Sequence, residues 1–244
     1  DISALILLEH LSKEHDVSAV YIGEKLENEK IKSYPQKIKQ RKGIWVNTYL
    51  LNKKWKKILT EIVEKEKPDL IISQDYLIPA SIKVAKKFNI KTIAFLRSYV
   101  HISIDGFMTY LPEDRKPGKT SDFIHKIQYP FYRSVVKDFE FALKNTDLII
   151  CNSNYLSKVT FDYYNVKSEV LRPFVPIEKY KVDNKGQYIA FINPDLHKGV
   201  KIFEQIVEKM PDRKFLVAGK EGYKIDKRNV DVIGWIKDMK EVYS

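Results

Sequence analysis

Residues 188–207 read YIAFINPDLHKGVKIFEQIV: an aromatic and β-branched run, a short polar loop, Lys198-Gly199, then a helix with Val200, Phe203 and Val207 at helical spacing, continued by Met210 just beyond. A strand that feeds an amphipathic helix in this way is one step of a strand-helix-strand series, and Tyr188 to Asn193 is expected to be an interior parallel strand. A helix start leaves backbone N–H groups unsatisfied and carries the positive end of the helix dipole, so it attracts phosphate. Lys198 would add a full charge beside those amides, and Gly199 would let the backbone approach a pyrophosphate closely. The bland alternative keeps Lys198 as one more surface lysine and Gly199 as a turn residue.

Downstream the series continues with KFLVAG, Lys214 to Gly219, and NVDVIGW, Asn229 to Trp235, each a further strand. Upstream, Pro173, Pro176 and a polar stretch near residues 175–187 mark a composition break and a linker. Before it the same alternation repeats. DISALILLEHLSKEH opens the chain as a helix apolar nearly all round, expected to be well buried, with no strand ahead of it; the N-terminus is therefore read as incomplete. Asp16 to Gly23 is a strand, and Glu24 to Gly43 reads as only a lysine-rich connection containing Pro35. Leu51, Trp55, Ile58, Leu59 and Ile62 then mark a helix ending at Pro68, followed by a strand of the fully buried kind, Asp69 to Gln74. A helix with Ile78, Ile82, Ala85 and Phe88 leads to the strand KTIAFL, Lys91 to Leu96. Residues 97–130 read as a long loop overhanging a site, since loops beyond about 12 to 15 residues are usually functional or mobile. A helix from about Phe131, the strand DLIICNS (Asp147 to Ser153) with Ser153 or Asn154 as the next helix cap, and SEVLRPF (Ser168 to Phe174) close the first domain. The fold class is α/β with two Rossmann-like domains, residues 1–178 and a partial second domain of residues 179–244.

Parallel α/β sheets bind ligands at the carboxyl ends of their strands, which directs attention to the polar residues placed there. In the first domain these are Gln74, Asp75, Tyr99 and Asn152 as acceptor-side candidates, with Asp75 read more readily as the cap of the helix near Ile78. Arg97 and His101 are the candidate catalytic pair: a guanidinium suited to bidentate phosphate bonds, and an imidazole able to orient a hydroxyl. In the second domain the helix start offers Lys198 and Gly199. Only nine glycines occur in 244 residues, and Gly199, Gly219, Gly222 and Gly234 all fall in this domain.

Composition narrows the partners. The net charge of +11 points to an anionic partner, and it is uneven: Lys25 to Lys57 holds eleven Lys and Arg against Glu27 and Glu29, interleaved with Trp45, Tyr49 and Trp55. That stretch is a candidate contact with an anionic membrane, set against a merely solvated lysine face. Apolar runs of four to six residues fall far below the roughly 20 that span a bilayer, and no signal peptide is seen. One cysteine, Cys151, excludes an internal disulfide and accords with a cytoplasmic location, soluble or peripheral on the inner face of the membrane. No cluster with metal-ligand spacing occurs, so no metal and no cofactor is expected.

The order strand, INPDLHKG, helix, KFLVAGKEG, NVDVIGWIKDMKEVYS resembles the donor domain of glycosyltransferase family 4. The resemblance implies the GT-B fold, a nucleotide-diphosphate sugar as donor, and a glycan or lipid-linked acceptor, for example a cell-envelope polysaccharide. In that family an arginine usually follows the first donor-domain strand and a lysine sits five residues later, both on donor phosphates. Lys198 matches the lysine, and Asn193, an uncharged amide, stands in place of the arginine. KFLVAGKEG resembles the glycine-bearing turn near the nucleotide, and VIGW, Val232 to Trp235, the strand end that reads the base; the resemblance thereby adds Asn193, Gly219, Lys220 and Trp235 to the donor-side candidates. Two rivals remain at this level: a nucleotide-sugar epimerase on the same fold, and a basic nucleic-acid-binding protein. The second lacks any RRM, KH or helix-turn-helix pattern, and no nucleic-acid partner is expected.

Overall fold

The computed structural model describes residues 2–26, 28–38, 44–98, 119–173, 177–183, 186–195, 198–236 and 238–243. The chain forms two compact units, Asp1–Phe174 and Val175–Ser244. In the first, α1 (Ile2–Leu11) leads to β1 (Val17–Ile22), β2 (Ile31–Gln36) and α2 (Ile44–Glu66). There follow β3 (Leu70–Gln74), a 3₁₀ turn (Asp75–Leu77), α3 (Ile78–Phe88), β4 (Lys91–Leu96), α4 (Lys119–Lys144), β5 (Leu148–Cys151), α5 (Asn154–Tyr164) and β6 (Glu169–Val170). The second unit holds α6 (Ile177–Tyr180), β7 (Ile189–Ile192), α7 (Val200–Lys209), β8 (Phe215–Ala218), β9 (Val230–Val232) and α8 (Lys240–Tyr243). Described strands pair in the orders β1-β2, β3-β4-β5-β6 and β7-β8-β9, every ladder parallel.

The centre of the first unit is α3, buried on nearly every side. Ile78 and Ile82 pack with Leu96 of β4, Phe139 and Leu143 of α4 and Ile149 of β5. Ala80, Val84 and Ala85, on the opposite flank, meet Trp55, Leu59 and Val63 of α2, with Val20 and Ile22 of β1 alongside. Helices α3 and α5 both stop at an asparagine in the left-handed conformation, Asn89 and Asn165, whose N–H groups return to carbonyls of the last turn. The second unit has a smaller core: Phe191 stacks on Phe203 at 4.4 Å, Phe203 meets Phe215 edge-on at 5.6 Å, and Val207 and Val217 fill in beside them.

Five expectations need correction. Residues 31–36 are strand β2, not connection: Pro35 lies opposite Tyr21, and β2 has one described neighbour, so the missing proline N–H interrupts little. β3 is not fully buried; Ile71 and Ser73 face inward while Leu70 and Ile72 are exposed. Helix α4 starts at Lys119 and carries Pro130 within it, so the segment between β4 and the helix is shorter than expected, and its residues 99–118 lie outside the described set. β7 is paired to β8 alone among the described strands and is half-exposed; the interior strand is β8. In addition, α1 is half-buried rather than enclosed.

One polar cluster fastens β1 and β2 to α2. Glu66 near the end of α2 accepts from Tyr34 Oη at 2.5 Å, Lys32 Nζ at 3.0 Å and Ser18 Oγ at 3.3 Å. The hydrogen bonds from Tyr34 and Lys32 hold its carboxyl below the usual range. A lowered carboxyl pKa stabilises the fold fully at neutral pH, and the gain is lost as pH falls through the folded-state value. Glu66→Gln, which turns an NH₂ toward donors, is therefore expected to lower the Tm at neutral pH. The gap from the parent protein closes as pH drops below the carboxylate range, readable from melts across acid pH; a gap that is constant with pH would refute the charge contribution.

Candidate active site

In the first unit the carboxyl ends of β3, β4 and β5 are tied together by side chains. Asp75, directly after Gln74 of β3, has φ 44°, a left-handed backbone that costs an L-residue about 1 kcal/mol and that Asp tolerates better than most. Its Oδ1 accepts the backbone N–H of Arg97 at 2.9 Å, immediately beyond β4. From the other side Asn152, immediately beyond β5, donates Nδ2 to the Arg97 carbonyl at 2.8 Å and its own N–H to Leu96 O at 3.1 Å. The main chain of residue 97 is thus gripped from both neighbouring strand ends. Its guanidinium lies over the Phe95 ring, 5.1 Å from the centroid. Burial draws the Arg97 pKa down from its ordinary value, against the opposing pull of Asp75. Burial also raises the Tyr76 phenol, with Asp75 adding to the shift.

Gln74, Asp75, Arg97 and Asn152 therefore converge, while Tyr99 and His101 lie outside the described residues. Asp75 is not a helix cap: α3 is entered from Leu77 with no side-chain cap, and the carboxylate serves the end of β4 instead. The cap among these strand ends is Ser153, whose Oγ accepts the Leu156 N–H at 3.2 Å to start α5.

In the second unit the backbone does the tying. Asn193, at φ 59°, donates its N–H to Ala218 O at 2.7 Å; Ile233 N–H reaches Val217 O at 3.0 Å; Gly219 N–H reaches Gly234 O. These bonds continue the ladders past the strand ends and bring Asn193, Gly219 and Gly234 side by side. Gly219 is fixed twice: it has φ 90°, and a Cβ there would sit 3.0 Å from Asn193 Oδ1 and 3.3 Å from Asn193 N. Trp235, next to Gly234, is 69% exposed.

Gly199, at φ 79°, opens α7 with no side-chain cap. The N–H groups of Lys198 and Val200 both turn to Asp195 O, at 3.0 and 3.2 Å, so two amides expected to face a phosphate are satisfied inside the loop. Lys198 is exposed, and Lys220 Nζ stands 3.9 Å from Asp195 Oδ2, which places Lys220 beside the same loop. Asp195 thus brings a carboxylate into the site; the one signal for it in the sequence is its place between Asn193 and Lys198. Among the described residues no group of three or more His, Cys, Asp or Glu is arranged to hold a metal ion.

Two parallel α/β units, each with its polar residues at the carboxyl ends of the strands, define a protein of the GT-B glycosyltransferase fold. The sequence matches the Glycosyltransferase Family 4 model over residues 2–179, and the chain belongs to that family. The match covers the first unit, whereas the motifs that carried the resemblance in the sequence lie in the second. No curated protein matches the chain. Solved structures that resemble it include Arabidopsis thaliana UGT89C1 complexed with UDP-L-rhamnose, with TM-score 0.60, 15% identity, and 99% of this chain and 68% of that one covered. A ugt transferase from Siraitia grosvenorii in complex with UDP has TM-score 0.54 at 12% identity, covering 98% and 71%. At these identities the likeness is one of fold, and the chain spans about two thirds of the length of either protein.

The Gly219 turn yields a direct check. Gly219→Ala is expected to cost about 1–3 kcal/mol in urea unfolding of the parent chain, from the left-handed backbone plus the Asn193 clash. Gly222→Ala, at φ 73° with open space around it, should lose only the backbone part, about 1 kcal/mol. Equal losses at the two positions would show that the Asn193 contact carries no weight.

Proposed function

We propose that the protein transfers a sugar from a nucleoside-diphosphate sugar, bound at the strand ends of the second unit, to a glycan or lipid-linked acceptor bound by the first. What supports this reading is that Asn193, Gly219 and Gly234 lie side by side beyond β7, β8 and β9, with Lys198 and Lys220 on either side of Asp195, in a member of glycosyltransferase family 4. As the bond from the sugar's anomeric carbon to the diphosphate breaks, negative charge grows on the leaving group. Ammonium groups held in place lower that barrier more than they lower the ground state. Lys198 and Lys220 are assigned this role, with the Asn193 amide donating an uncharged hydrogen bond. Trp235 offers an aromatic face to the base. On the acceptor side, Arg97 would meet a phosphate and His101 would orient the attacking hydroxyl. The charge on the leaving group is met by lysines, and the proposal requires no metal.

Thermal melts with a panel of UDP- and GDP-sugars test the donor site. At least one donor should raise the Tm of the parent protein, and Lys198→Ala should weaken that donor about tenfold or more, the scale of a lost charge-assisted hydrogen bond. Trp235→Ala should weaken it as well. A panel without any shift, or variants that respond like the parent, would refute the site. With a donor in hand, product analysis separates transfer from epimerisation: free nucleoside diphosphate and a glycosylated product, against an isomerised sugar nucleotide.

A further inference from the structure

Within α2 the sequence KKWKK, Lys53 to Lys57, divides cleanly by side. Lys53, Lys54, Lys56 and Lys57 are all exposed, whereas Trp55 between them is 3% exposed and packs in the core with Leu59 and Val63. Tyr49, one turn earlier, meets Phe131 edge-on at 5.5 Å and lies 4.5 Å beneath the Lys53 ammonium. The sequence alone leaves this stretch open between an anionic membrane contact and a solvated lysine face. The structure turns Trp55 inward and leaves a face of ammonium groups, rigidly presented because the opposite stripe of the helix is buried. The ion pairs of α2 fall in its last turns, where Glu64 meets Lys87 and Glu66 meets Lys32 and Lys65. Among the described residues no carboxylate stands within ion-pair distance of Lys54, Lys56 or Lys57. Nothing in the donor site or at the strand ends accounts for this face.

We propose that the Lys53–Lys57 face of α2 docks the protein onto an anionic lipid bilayer, by adsorption rather than insertion. Lysines near such a surface gain roughly 1 kcal/mol each, and four on one and a half turns of a fixed helix reach it together. Compact, strongly hydrated ammonium groups suit a diffuse layer of headgroups and do not need the planar fork geometry that favours arginine. With Trp55 in the core, this face has no indole to insert and none on which to stack bases, and a convex helix surface offers no channel for a nucleic-acid strand. The surface stands whether or not the donor reading holds.

Flotation or sedimentation of the full chain with vesicles decides it. The parent protein should bind phosphatidylcholine vesicles containing phosphatidylglycerol, ignore pure phosphatidylcholine, and release as salt is raised from about 0.1 M to about 0.5 M. Replacing Lys53, Lys54, Lys56 and Lys57 together by Gln, which has similar helix propensity, should cut the partition coefficient about tenfold or more without changing the Tm. A control with Lys209, Lys214, Lys224 and Lys240 replaced by Gln, equal in net charge, should bind like the parent. The proposal is overturned if the parent ignores anionic vesicles, if the α2 variant binds as the parent does, or if the control falls equally. It is likewise overturned if single-stranded RNA, but not heparin at equal charge, strips the parent from vesicles at the same salt, which would identify a nucleic-acid surface instead.

Discussion

Parallel pairing is the constraint from which the rest follows. A parallel neighbour cannot be reached through a tight turn, so the chain must cross back over the sheet, and its strands then end on one side. The backbone groups beyond the last ladder bond need partners there. The first unit supplies them from side chains, Asp75 and Asn152 closing on residue 97 from either flank. The second supplies them from its own backbone, through Asn193, Gly219 and Gly234. The difference has a functional consequence. In the first unit the polar side chains at the strand ends are partly committed to bracing, so Arg97 is positioned before any ligand arrives. In the second the bracing is done by main chain, and the side chains of Lys198, Lys220 and Trp235 are kept out of it.

Bracing of this kind works only if the strands are fixed below it, and in the first unit α3 does that. It packs Ile78 and Ile82 into one core and Ala80, Val84 and Ala85 into another, so a shift of α3 would disturb both. Its one polar inward residue, Ser81, is satisfied by Ser73 of β3 at 2.8 Å and by the Leu77 carbonyl at 3.0 Å. Among the described residues no buried side-chain nitrogen or oxygen lacks a partner. The 3₁₀ turn holding Asp75 is the direct link between β3 and α3, which is how a strained φ can persist at that strand end.

Much of this was legible in the sequence, and the gaps have physical causes. KTIAFL became β4 over the same six residues because a short β-branched and apolar run bounded by polar residues has few alternatives. Ser153 was readable as a cap because a hydroxyl before an apolar-periodic segment matches the need of the first turn. β2 was hidden because Pro35 and the lysines argue against a strand, and only a sheet position with few neighbours makes them acceptable. Pro130 concealed the start of α4, since proline normally opens or breaks a helix. Of the site, the residues at strand ends could be listed from the sequence, but not what they do. Asp75 as a brace, Asn193 against Gly219, and Asp195 beside Lys220 all depend on which strands are neighbours, which local patterns do not state.

The second unit shows how the same bonds bear on stability and on binding. Its core rests on Phe191, Phe203, Phe215, Val207 and Val217, while Ile202, Ile206 and Met210 form a stripe along α7 that stays exposed, Ile202 at 64%. A ligand that spans the ends of β7, β8 and β9 would join the three places where the backbone bonds outrun the ladders. It would then stabilise the unit by RT ln(1 + [L]/Kd), about 2.7 kcal/mol at a hundredfold excess over Kd. The backbone bonds that carry the ladders past the strand ends are thus also the bonds through which a ligand bound there would stabilise the unit.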